Sequence, residues 1–388
     1  MSRRDDLKKT ILRHLLLHRR ATRPELVALT GIRAATVFEA IAELKSARLV
    51  VEPERRGKRT GRRAPGLEIA PESFCTLGVE LRPSGCIGVI IDGAGEELFS
   101  HRVSGESASS LEEVKCCLLS LLQNLREQAA DDWKRVRGLG FADPGLVDVS
   151  RRFSIRAVNV PGWRDLETGK YLDSVSGLPA MVWPETMVKT RMEYLKLIDE
   201  APESIFHLST DGGIGGGFIK QGRLYIGHSG RAMEIGHLTV DPDGPRCRCG
   251  NRGCLEAVAG ADALTEKLAA ARRSGIDLGG MPERFSMADL AEFAAKNKGV
   301  RIIADELCRD VGQALSAVVM MLNPERIVIS GEMTLLGDFL LDSLRRELEL
   351  RCFPEALENL RLSLSRLSDT DTARGAALMM REKLLLES

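Results

Sequence analysis

Glu234-Ile-Gly-His237 and, ten residues on from the histidine, Cys247-Arg-Cys249-Gly-Asn-Arg-Gly-Cys254-Leu-Glu256 form the stretch on which the reading of the fold turns. Three sulfurs and one imidazole make a complete tetrahedral set for zinc. Gly250 and Gly253 allow the tight turn that brings Cys249 and Cys254 onto one ion, and Pro242, Gly244 and Pro245 make the approach from His237 a loop. Four protein ligands leave no open position for water, so a zinc ion held by His237, Cys247, Cys249 and Cys254 would be structural. The rival reading of the same residues is a disulfide or a set of unliganded thiols.

The pattern Glu-x-Gly-His followed by Cys-x-Cys-Gly-x-x-Gly-Cys-Leu-Glu resembles the signature of the ROK family (repressors, open reading frames and sugar kinases). The resemblance implies an α/β two-lobed body of the actin-like, sugar-kinase (ribonuclease H-like) fold. It also implies that Glu234 and Glu256 face a sugar while zinc holds their loop. His237 would serve both, since a ligating imidazole can donate from its second nitrogen. The family has Ala-Gly-Glu where this chain has Ala232-Met233-Glu234, so Met233 is expected to narrow or reshape the pocket.

At 388 residues the chain suggests two or three domains, and 44% hydrophobic residues suffice for their cores. Nine cysteines with no signal-peptide pattern fit a reducing cytoplasm. Three serve the metal loop, and Cys75, Cys86, Cys116, Cys117, Cys308 and Cys352 read as small buried residues or bystanders. The early apolar run Leu15-Leu16-Leu17 is far too short to span a bilayer. The formal net charge of zero hides an asymmetry: residues 1–66 hold 17 Lys and Arg against 7 Asp and Glu, leaving 38 against 48 for the rest. A basic head on an acidic body points to a polyanion partner.

Within the head, Leu7, Ile11, Leu12, Leu15 and Leu16 recur at helical spacing. Thr22 is placed to cap a second helix with Pro24 in its first turn, Gly31 ends it, and a third helix begins near Arg33. This is helix-turn-helix order. The start of the third helix, Arg33, Ala34, Ala35, Thr36 and Phe38, would meet base edges in the major groove. Leu49-Val50-Val51 and Leu67-Glu-Ile69 read as two strands of a wing. Arg55, Arg56, Lys58, Arg59, Arg62 and Arg63 between them could neutralise phosphates of double-stranded operator DNA. The head is again similar to ROK repressors, whose head is a winged helix-turn-helix. Their usual Leu-Ser-Arg-Ala-Thr-Val-Ser reads here Ile32-Arg33-Ala34-Ala35-Thr36-Val37-Phe38. A three-helix protein-interaction module is the rival.

In the body, the family's phosphate hairpin Asp-x-Gly-Gly-Thr is replaced by Glu80-Leu-Arg-Pro-Ser-Gly85, which lacks two glycines and one amide donor. Asp143-Pro-Gly145 resembles the family's Gly-x-Pro-Gly turn. Asn159-Val-Pro-Gly-Trp163 matches the loop whose asparagine binds sugar, although Asn before Pro-Gly is commonly turn chemistry alone. Trp183-Pro184-Glu185-Thr186-Met187 stands on the family's Glu-Asn-Asp-Ala-Asn, so Glu185 occupies the position of the catalytic Asp. A displacement of roughly 1 Å can cost on the order of a hundredfold in rate, so Glu185 reads as a sugar acceptor or as an ordinary acid at a helix N-terminus. Asp211 and Glu332 stand in the loops that would take nucleotide.

The expected domains are therefore residues 1–70, a winged helix-turn-helix; 71–190, a first lobe; and 191–388, a second lobe with the zinc loop. The last helix is expected to pack on the second lobe or back on the first. The expected protein is a cytoplasmic transcriptional regulator, a homodimer or dimer of dimers, that represses carbohydrate-metabolism genes in response to a sugar or sugar phosphate and is not an enzyme. An ATP-dependent sugar kinase with a DNA-binding head is the alternative. The expected sugar contacts are Asn159, Glu185, Glu234, His237 and Glu256.

Overall fold

The computed structural model describes residues 3–53, 66–105, 108–157 and 159–387, which divide into two compact units, 1–189 with 368–388 and 190–367.

The first unit opens with α1 (Arg3–His18), α2 (Arg23–Thr30) and α3 (Ala34–Ser46). Thr22 and Glu25 form a reciprocal capping box on α2, and Gly31, left-handed at φ 64°, ends it. Val37, Ala40, Ile41 and Leu44 of α3 are buried with Leu7, Ile11, Leu12 and Leu15 of α1. Strands β1 (Val50–Val51) and β2 (Glu68–Ile69) pair antiparallel behind the helices. Residues 54–65 between them, including the expected phosphate contacts Arg55, Arg56, Lys58, Arg59, Arg62 and Arg63, lie outside the described residues.

The α/β part of this unit contains β3 (Cys75–Arg82), β4 (Gly85–Ile91), β5 (Glu97–Ser104), α4 (Leu111–Ala129) and β6 (Val136–Asp143). Next come β7 (Leu146–Asp148), β8 (Phe153–Arg156), β9 (Arg164–Leu166), α5 (Thr168–Ser176), β10 (Ala180–Pro184) and the start of α6 (Glu185–Lys196). Among the described residues the main sheet has the order β10-β6-β3-β4-β5, and β10, β6 and β3 run parallel. Helix α4 covers one face. The C-terminal helix α13 (Asp371–Glu387) covers the other, so it belongs to this unit and not with the residues immediately before it in the chain. Glycine permits that approach: a Cβ on Gly78 would stand 1.8 Å from the Ala373 carbonyl, and one on Gly140 2.1 Å from that of Ala376. At its far end α13 places Leu385 in the core of the three-helix head.

The second unit holds β11 (Ser204–Thr210), β12 (Gly215–Lys220), β13 (Arg223–Leu224), α7 (Leu255–Ala259), α8 (Ala261–Arg273), α9 (Met287–Lys296) and α10 (Lys298–Leu322). It continues with β14 (Arg326–Gly331), α11 (Asp338–Arg351), α12 (Pro354–Leu357) and β15 (Arg361–Leu364). Its sheet order is β13-β12-β11-β14-β15, with β11, β14 and β15 parallel. Leu307, Val311, Leu315 and Val319 line the buried face of α10 and form a core with Phe206, Leu208, Ile327 and Ile329.

Candidate functional site

The short 3-10 turn Ile235–His237 leads out of β12 and β13, and Cys254 caps α7, so each end of the metal loop is fixed to an element of the second unit. Backbone bonds pin the loop between them: Cys247 N–H donates to Asn251 O at 2.8 Å, and Val240 N–H to Gly253 O at 2.8 Å. Gly253 has φ 61°, and a Cβ there would lie 1.4 Å from the Asp241 carbonyl oxygen. No side chain fits.

The donor atoms of His237, Cys247, Cys249 and Cys254 all lie within 4.8 Å of one another. Zinc with Zn–S of about 2.3 Å and Zn–N of about 2.0 Å sets two sulfurs about 3.8 Å apart and a sulfur and nitrogen about 3.5 Å apart. Cys249 and Cys254 Sγ stand 3.6 Å apart, and Cys247 Sγ lies 3.7 Å from His237 Nδ1. A disulfide needs about 2.05 Å. The donor set therefore fits a four-coordinate metal ion and not a disulfide. Burial, with its sulfur neighbours, pushes the Cys254 thiol up to about 12, a penalty that a bound dication removes.

The same loop places two carboxylates. Glu256, in the first turn of α7, accepts from the Ile214 N–H at 3.1 Å, in the glycine-rich segment 211–217. Burial raises the pKa of Glu234, His237 lowers it, and the charge of Glu256 raises it. Glu234, His237 and Glu256 are thus electrical neighbours. Met233 stands at φ 67°, a left-handed position that glycine takes without strain, and its side chain packs on the apolar core. Asp211 and Glu332 are exposed.

In the first unit the parallel strands β3, β6 and β10 bring Glu80, Asp143 and Glu185 to their carboxyl ends; Glu80 pairs in register with Ala142, and Asp143 with Pro184. Ligands of open α/β sheets bind at such ends. Glu185 forms an ion pair with Lys189, and buried Glu80 one with Arg82 at 2.8 Å. Arg82 in turn meets Asp369, which also pairs with Arg102. Burial raises Glu80, Arg82 pulls it back, and Glu185 adds to the rise.

Asn159 is exposed in a turn whose closing residue, Trp163, is buried. Trp163 Nε1 donates to Asp143 at 2.8 Å, joined by the Ser154 hydroxyl and, at 2.9 Å, by the Gly145 N–H. Burial pushes Asp143 up to about 6, against those three hydrogen bonds. From the sequence Asp143 reads only as a departure in a turn. The anchor it provides for the Asn159 loop depends on a contact with Trp163 that nothing in the order of residues displays.

In the head, Arg33, Ala34, Ala35, Thr36 and Phe38 are all exposed at the start of α3. The Arg33 side chain makes no cap bond to the helix, and the Arg23 guanidinium lies 5.8 Å from the Phe38 ring centroid.

A three-helix head with a paired-strand wing, followed by an α/β body of the sugar-kinase kind whose loop gathers one histidine and three cysteines, defines a class of two-part proteins. The ROK family matches residues 76–383, and the chain belongs to that family. It is 25% identical over 383 residues to the putative xylose repressor of Caldicellulosiruptor sp., covering 97% of this chain and 96% of that protein. It is 28% identical over 258 residues to the glucokinase of Halalkalibacterium halodurans, but that similarity covers only 63% of this chain and 76% of that protein. The crystal structure of a ROK family transcriptional regulator, a homolog of the E. coli MLC protein, superposes with a TM-score of 0.83 at 25% identity over 99% of this chain and 98% of that one.

Proposed function

We propose that this protein is a DNA-binding transcriptional repressor whose body senses a sugar or sugar phosphate. The observation that carries the reading is coverage: likeness to the xylose repressor runs through the head as well as the body, whereas likeness to the glucokinase covers less of the chain. The exposed first turn of α3 supports a major-groove role for Arg33, Ala34, Ala35, Thr36 and Phe38, with the basic residues of 55–63 on phosphates.

His237, Cys247, Cys249 and Cys254 hold structural zinc. Cys247 meets Nδ1 of His237, which leaves Nε2 as the atom for a sugar hydroxyl. Glu234, Glu256, Asn159 and Glu185 are the remaining sugar contacts. The pairing of Glu185 with Lys189, and the Pro83-Ser84 hairpin, support binding without phosphoryl transfer. A cytoplasmic homodimer presents two heads to paired half-sites.

The test is binding of purified protein to pooled fragments of its own genome across a salt series, beside Arg33→Ala/Thr36→Ala, whose positions are exposed. A palindromic site enriched by the parent and lost by the variant is expected. Weak binding, indifferent to sequence and to the variant and abolished by salt, would refute the repressor reading. ATP-dependent phosphorylation of a sugar panel, expected to be absent, tests the kinase alternative.

A further inference from the structure

Six of the nine cysteines stand outside the metal loop, and two of these meet. Cys86, in β4, is 1% exposed; Cys117, on α4, is half-buried. Their sulfurs stand 2.7 Å apart. The metal loop supplies a contrast in the same chain, since Cys249 and Cys254, spaced to share a cation, are 3.6 Å apart. The Cys86–Cys117 pair is too close for that and needs to move only ~0.7 Å to reach covalent length. Backbone packing causes the approach. Gly88, also in β4, lets α4 ride close: a Cβ there would fall 2.4 Å from Leu125 Cδ1 and 3.2 Å from Leu121 Cδ2.

We propose that Cys86 and Cys117 form a redox site that closes into an intramolecular disulfide when the folded protein meets hydrogen peroxide. Cys117 is the half-exposed member and reacts first. Its thiolate sulfur bonds to one peroxide oxygen, the O–O bond breaks, and hydroxide leaves to become water; Cys117 is then a sulfenic acid. The Cys86 sulfur attacks Cys117 Sγ, the S–O bond breaks, and the hydroxyl departs as a second water with the Cys86 thiol proton. Two thiols have lost two electrons, and one peroxide has been reduced to two waters. Cys86 is buried and Cys117 half-buried, so peroxide reaches Cys117 and resolution falls to Cys86. In a reducing compartment such bonds are transient and return to thiols.

The experiment uses full-length, metal-loaded protein treated with equimolar hydrogen peroxide, quenched with an alkylating agent and mapped by peptide mass. A cross-linked pair of peptides containing Cys86 and Cys117 is expected, with loss of two alkylatable thiols, reversal by dithiothreitol, and no cross-link in Cys86→Ala or Cys117→Ala. In Cys86→Ala, Cys117 should accumulate as sulfenic acid, trappable with dimedone. Exposed Cys116 is the internal control. Full alkylation of Cys86 and Cys117 while Cys116 or the metal cysteines oxidise would overturn the proposal, as would a cross-link from Cys116. The mapping of unsubstituted protein decides the matter even if a variant folds poorly.

Discussion

Single residues carry most of what distinguishes this chain, and Asp143 is the sharpest case. Fully buried with a pKa of about 6, it binds its proton more tightly folded than unfolded, where a carboxyl titrates at about 4. Its contribution is therefore complete below pH ~4 and lost as pH rises to about 6, a span of roughly 2 pH units or about 3 kcal/mol at most. Asp143→Asn removes that titration. The difference in urea midpoint between parent and variant should shift in the variant's favour as pH rises from 4 to 7; parallel profiles would show that burial of Asp143 is not felt. Glycines of the metal loop offer a second comparison. Gly253→Ala meets the Asp241 carbonyl and should abolish stoichiometric metal, whereas Gly250→Ala, at φ 102° with nothing within 4 Å, meets only backbone strain of about 1–2 kcal/mol and should keep it. Metal content of the two purified variants tests this, and equal content would show the loop to be more pliant than its contacts imply.

At the scale of elements, strongly periodic or punctuated segments were legible and edge pieces were not. Helix α1 buries Leu7, Ile11, Leu12, Leu15 and Leu16, whose spacing predicts it, and α2 takes Thr22 as its cap and ends at Gly31. Strand β5 escaped because it lies at a sheet edge, where polar His101 interrupts the inward face that Phe99 and Val103 turn to the core. The strands β7, β8 and β9 are three or four residues long, too short for a period to appear. The metal loop was readable because ligand spacing is a local property. Pairing Cys86 with Cys117 was not, because it depends on how α4 lies on β4. Metal removal is a prediction at this scale: Cys254 is the N-cap of α7, so a strong chelator should free about one zinc per chain and lower thermal stability, with Cys249→Ser intermediate in affinity. Unchanged melting after complete metal loss would mean that α7 is held by Leu255 and Val258 packing alone.

For the whole molecule, the informative element is α13. Its Ala373 and Ala377 lie on the sheet of the first unit through Gly78, while Leu385 is buried among Leu12, Leu15 and Phe74 in the core of the head. The head is thus tied to the α/β body by a helix from the other end of the chain. Leu385→Ala should cost about 2–4 kcal/mol, felt first in the head, whose own core is small. Operator affinity should fall about tenfold or more while metal content stays at the parental level, since each tenfold step needs only ~1.4 kcal/mol. Unchanged affinity would show that α13 does not support the head. If a sugar weakens operator binding by some factor, the operator must weaken sugar binding by the same factor, because both report one coupling free energy. Titration calorimetry with the effector, with and without operator, measures that factor directly. In Leu385→Ala the two factors should shrink together toward one. A variant that kept full coupling with a loosened head would show that the signal bypasses α13.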